Sequence, residues 1–253
     1  MRVLLAVKPT ITIGDQPTFQ LFGLTFDTYV IIATLVAAAI VLWLGFRMRA
    51  KATAGVPGKL QLLFELMVEQ VTDLTSSAIG PEGSAFVPLG VVLFFFILVC
   101  NWMEFLPTAF QVGISHEILP TPTADVNLPA AMAVMVFILC HYMSVKRRGV
   151  RGYFRHYTKP FAIMTPINVI EEITKPITLT FRLFGNLFAG GLMILVVAVV
   201  SQQIAGAAVG GVITFAWSLV WKPFDLFIGA IQALIFSLLT IMYLGMAMST
   251  DEH

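Results

Sequence analysis

Residues 161–253 hold only three cations, Lys175, Arg182 and Lys222, and fall into two apolar stretches, 161–200 and 207–249, separated by Ser201, Gln202 and Gln203. As a helix, either stretch would be about 60 Å long at 1.5 Å per residue. That is twice the thickness of a hydrocarbon core of about 30 Å. The stretches must therefore be broken, steeply tilted or extended past a bilayer, and Pro160, Pro166, Pro176 and Pro223 are the breaks the sequence offers. Composition agrees with a membrane setting. Of 253 residues 58% are hydrophobic and 11% charged, and the mean hydropathy is +0.90, against about 25% charged in soluble domains.

The remaining apolar runs set the organisation of a single membrane domain, 1–253. Residues 1–28 form an N-terminal segment. Its opening run is cut by Lys8 and Pro9, too short for a signal-peptide core, and reads as mature chain. Residues 29–46 form an uncharged first span, followed at once by Arg47, Arg49 and Lys51. Over 57–79, Leu60, Leu63, Phe64, Met67, Val71 and Leu74 recur at helical spacing opposite Glu65, Glu69 and Asp73. That pattern predicts an amphipathic helix lying at the interface. Residues 86–145 hold a second span to about 106, a Pro-rich loop over 107–127 and a third span from about 128. The long apolar pair occupies 161–250. The expected fold is all-α and integral to the membrane, with a transmembrane helix, an interfacial helix, a transmembrane pair and two long helices forming a hairpin.

Four Lys and Arg residues lie between 47 and 59, six between 146 and 159, and none between 107 and 127. The positive-inside rule places the basic segments in the cytoplasm and the loop outside. The N-terminus is then exterior and the C-terminus cytoplasmic. Cys100 and Cys140 sit in apolar runs without a CxxC or Cys/His cluster, and His116 and His141 have no partner at metal-ligand spacing, so no metal site is expected. HExxH, GxSxG and phosphate-loop patterns are missing, which argues against an enzyme active site and against nucleotide binding.

Polar residues inside such helices line a cavity or pair with one another. On a helix, Lys175, Thr178, Arg182, Gly185, Asn186 and Ala189 share one face at three- and four-residue steps. That face joins a permanent charge to small residues that let another helix approach. Asp225, Gly229, Gln232, Phe236 and Tyr243 share a face of the second stretch. Asn101, Glu104, Asp125 and Asn127 cluster toward the exterior, and Glu171, Glu172, Lys175 and Thr178 toward the cytoplasm. Several readings stay open: Arg182 snorkelling to a headgroup, Asp225 neutralising Lys222, Gln232 as an interhelical hydrogen bond, and Glu171 and Glu172 as a solvated pair.

KPITLTFRLFGNLFAGG (175–191), IQALIFSLLTIMYLGMA (231–247), PTADVN (122–127) and NWMEFLP (101–107) stand in the order found in a known family. On these segments the chain resembles the a subunit of F-type ATP synthase, the membrane stator beside the rotating c-ring. The resemblance implies a proton-translocating, non-catalytic subunit that needs no cofactor and binds no nucleic acid. Its partners would be c-ring proteolipids, a b-type peripheral-stalk subunit and lipid, in a bacterial plasma membrane. It also implies that the two long helices wrap the c-ring, steeply tilted. Arg182 would separate two aqueous half-channels, with Asn186 and Gln232 beside it. Relatives often titrate where Gly191 stands and carry His where Asp225 stands, so Asp225 is expected to carry the relay alone. A secondary transporter using Arg182 to bind an anionic substrate is the alternative, and it predicts two related halves that the sequence lacks.

Overall fold

A computed structural model describes residues 18–21, 24–53, 55–105, 121–157, 163 and 165–248. His116, most of the 107–127 loop, Pro160 and the C-terminal STDEH lie outside the described residues. Within the N-terminal segment, strands β1 (Thr18–Leu21) and β2 (Leu24–Asp27) pair antiparallel, Thr18 opposite Asp27, a ribbon the sequence reading did not foresee. Asp27 closes the ribbon and caps helix α1 (Thr28–Lys51), accepting from the amides of Tyr29 at 2.9 Å and Val30 at 3.4 Å. At 24 residues α1 runs past the expected 29–46 span. Only Ala33 and Ala37 are buried, packed on Cys100 and Met103.

Helix α2 (Lys59–Ala78) follows a connection clamped by Gln61, which bonds the backbone of Thr53 through both ends of its amide. Its amphipathic pattern turns one face onto the other helices. Phe64, Met67, Val71 and Thr75 are buried against protein. Phe64 stacks on Phe95 with centroids 4.0 Å apart. Val71 packs so closely on Gly90 that a Cβ there would meet it at 2.8 Å. The centre of the apolar stripe is thus covered by protein helices, while Leu62, Leu63, Leu66 and Val68 are exposed.

Helix α3 (Val87–Trp102) is the most buried span, with Leu93, Phe94, Phe95, Ile97, Leu98 and Asn101 in the core. It continues through a 3-10 turn at Met103–Phe105. Helix α4 (Asn127–Tyr157) does not stop near 145 as expected, because Lys and Arg are good helix formers. The break falls at Gly149, with φ 71° and ψ 163°.

Helix α5 (Thr165–Met248) holds both long stretches. The breaks expected at Pro166, Pro176 and Pro223 do not occur. Pro166 sits in the first turn, where a missing N–H costs nothing, and Pro176 and Pro223 lie inside continuous helix. The chain instead reverses at Gly206, with φ 79° and ψ 167°, a region reserved for glycine. Arms 165–205 and 207–248 therefore run antiparallel. Ser201 Oγ donates to the Gly210 carbonyl at 3.1 Å just beyond the turn, and Lys175 meets the Tyr243 ring at the open end. Among the described residues four helices, α1, the stretch Gly83–Phe105, Asn127–Arg155 and α5, are long and apolar enough to cross a membrane. The fold is an all-α integral membrane protein with a small β-ribbon at its start.

A substitution at the turn should be costly where one nearby is not. Gly206→Val should destabilise the detergent-solubilised protein by about 1–3 kcal/mol. Gly211→Ala, with open space around it, should leave thermal unfolding unchanged; equal melting curves for the two would contradict this account of the turn.

Candidate functional site between the arms of the hairpin

The first arm divides its residues by face. Leu179, Leu183, Leu187 and Gly190 are buried toward the rest of the chain. Thr178, Arg182 and Ala189 are exposed, and Lys175, Gly185 and Asn186 are half-buried. Among the described residues no hydrogen bond or ion pair engages the Arg182 guanidinium. Phe181 and Phe188 beside it are 60% and 54% exposed. A Cβ at Gly185 would meet nothing within 4 Å. The arginine thus stands on an open apolar face.

On the second arm Asp225 is 7% exposed and turns inward. It faces Gly190: a Cβ there would lie 2.7 and 2.9 Å from the two carboxylate oxygens. Gly191, the position singled out in the sequence, is exposed with nothing within 4 Å of a Cβ. Sequence reading missed Gly190. Its only local signal was the glycine doublet, and choosing between the two requires the register of the arms.

Among the described residues Lys222 forms no ion pair with Asp225. Lys222 Nζ donates to the Glu104 carbonyl at 2.8 Å and lies 4.0 Å from Glu104 Oε1. Asn101 is used structurally at both ends of its amide. Its Nδ2 donates to the Gly229 carbonyl at 2.9 Å, and its Oδ1 accepts from Thr123 Oγ1 at 2.9 Å. Trp102 Nε1 donates to the Leu226 carbonyl at 3.2 Å. The end of α3 therefore pins the second arm on the residues that follow Asp225. Asp125 and Asn127 form a separate cap: Asp125 Oδ1 accepts from the Asn127 amide at 2.9 Å and Nδ2 at 2.8 Å. Gln232 is half-buried, facing neither the core fully nor the open side.

A second polar region lies toward the open end of the hairpin. Glu172 and Lys175 pair at 2.5 Å, Lys175 Nζ sits 5.6 Å from the Tyr243 ring centroid, and Thr178 Oγ1 donates to the Lys175 carbonyl. Glu171 is exposed and outside the pair. Glu172, Lys175 and Tyr243 line a cavity of about 280 Å³ with Ser144, His141 and Arg148 of α4. Arg148 donates to the Met246 carbonyl at 3.3 Å, so the basic segment closes this end. Along the first arm Arg182 stands about 10 Å from Lys175 and about 12 Å from Gly190 at 1.5 Å per residue. Two polar regions are thus offset on either side of one fixed charge.

The fold and this arrangement define a polytopic membrane protein that carries ionisable groups on and between its long helices. The family model described as ATP synthase A chain matches residues 29–245. "ATP synthase subunit a" of Acidothermus cellulolyticus is 42% identical over 244 residues, 96% of this chain and 85% of that protein. That of Mycobacterium leprae is 41% identical, covering 96% and 95%, and that of Bacillus subtilis 37%, covering 93% and 98%. The chain belongs to the ATP synthase subunit a family, the proton-translocating membrane subunits of that complex, and its bacterial relatives assign it to the bacterial plasma membrane.

The two adjacent glycines should differ sharply. Gly190→Ala should displace the Asp225 carboxylate that its Cβ would meet and lower ATP-driven proton pumping in inverted vesicles severalfold. Gly191→Ala should pump normally, and equal rates for the two variants would contradict the Asp225–Gly190 contact.

Proposed function

We propose that this chain supplies two offset aqueous half-channels to a ring of c-type proteolipids, and that Arg182 separates them. The observation that carries this reading is a guanidinium on an open, apolar helix face with no partner among the described residues. A permanent charge in such a place calls for a counter-ion from outside the chain, and a carboxylate on each proteolipid fits it. A carboxyl group in low dielectric favours its neutral form, and a nearby fixed cation favours ionisation. Passing Arg182 therefore prompts the ring carboxyl to release its proton. Hydration in the half-channels keeps the attraction moderate enough for the ring to move on. The same charge opposes a direct proton leak from one half-channel to the other.

Asn186, one turn from Arg182, and Gln232 on the opposite arm are the neutral polar groups of this face. The exterior half-channel runs by Glu104 to Asp225, which relays protons across from Gly190, with Asn101 holding the second arm and the Asp125–Asn127 cap at the mouth. The cytoplasmic half-channel uses the cavity beside Glu172, Lys175 and Thr178. The N-terminus is exterior and the C-terminus cytoplasmic. A b-type stalk subunit and lipid cover the remaining exposed helices, and the chain itself performs no bond-breaking chemistry.

Asp225→Asn keeps the shape of the side chain and removes its ability to take a proton. ATP-driven acidification of inverted vesicles should fall at least about tenfold while the amount of assembled complex stays constant. Full-rate pumping would remove Asp225 from the path.

A further inference from the structure

Three polar atoms near the hairpin interior are enclosed by protein and meet no hydrogen-bond partner among the described residues: Asp225 Oδ2, Trp221 Nε1 and Asn186 Nδ2. Leaving such atoms unpaired is expensive, so a folded chain that retains them has a use for them. Two of the three belong together. Trp221 and Asp225 are four residues apart on one arm, hence one turn apart on one face. An indole N–H only donates, and an ionised carboxylate only accepts.

The surroundings hold both side chains in place. Trp221 is stacked on Trp217, with centroids 5.6 Å apart and planes 16° from parallel, and Phe224 lies 5.5 Å from it on another side. Asn101 and Trp102 pin the arm at Gly229 and Leu226. Lys222, the nearest cation in sequence, is committed to Glu104. The missing side chain at Gly190 leaves room beside the carboxylate.

We infer that Trp221 is the positioning residue of the Asp225 relay: its indole N–H holds the carboxylate, through one bridging water, in the orientation that faces Gly190. This inference rests on the reading of Asp225 as a proton carrier. When a hydronium on the exterior side gives its proton to Asp225, an O–H bond forms on the carboxyl and the bond from Trp221 weakens. When Asp225 passes that proton on, the carboxylate returns and Trp221 recaptures it. One proton enters and one leaves, and the indole keeps its own throughout.

The test is ATP-driven acidification of inverted vesicles carrying the whole complex, with rates normalised to the amount of this chain. Trp221→Phe keeps an aromatic ring in the stack and deletes the donor; its rate should fall roughly tenfold, the scale of one hydrogen bond to a charged group. Trp221→His restores a ring N–H and should recover at least about half of the lost rate. Trp217→Phe, in the same stack, should pump normally. A wild-type rate in Trp221→Phe, no recovery in Trp221→His, or an equal loss in Trp217→Phe would each overturn the inference. Asp225→Asn in the same series separates the two claims. If it is inactive while Trp221→Phe is normal, only the role of Trp221 falls; if it pumps at full rate, the relay itself falls.

Discussion

The turn at Gly206 fixes which residues of the two long arms face one another. Its backbone angles are open to glycine and strained for any other residue, and from that single reversal the register follows. Gly190 comes opposite Asp225, and Lys175 comes against Tyr243. A Cβ at Gly190 would lie within 3 Å of both Asp225 carboxylate oxygens. The small residues along the arms are therefore the means by which a buried acid is tolerated between two apolar helices. Asn101 and Trp102 then secure the second arm from the side of α3.

With the register set, the charges sort themselves. Glu104 engages Lys222, and Glu172 engages Lys175. Arg182 alone among the cations of α5 is left facing outward without a partner among the described residues. Pairing it inside the chain would neutralise the field it presents, and burying it unpaired would cost several kcal/mol. An open apolar face flanked by Phe181 and Phe188 avoids both outcomes, provided that a neighbouring subunit brings the carboxylate. The functional proposal depends on that division between charges satisfied within the chain and one charge reserved for another.

Much of this was legible in the sequence where a local pattern carried it. The face of Lys175, Thr178, Arg182 and Asn186 follows from helical spacing alone, and the length of the apolar stretches demanded a break, a steep tilt or extension past a bilayer. The turn was harder, because Gly206, Gly210 and Gly211 lie close together and nothing local marks which one takes positive φ. The prolines misled for a physical reason: Pro166 occupies a first turn and Pro176 and Pro223 are accommodated without loss of helical angles. Periodicity showed that α2 has an apolar stripe but not that Phe95 and Gly90 would cover it. Gly190 depends on pairing with a residue 35 positions away, beyond the reach of any local motif.

The most direct measurement of the central claim is proton movement in vesicles carrying Arg182→Ala in the assembled complex. The account predicts that ATP-driven pumping is lost and that passive proton leak through the membrane sector rises, since both the trigger for proton release and the barrier between the half-channels are gone. Retained ATP-coupled pumping would contradict it.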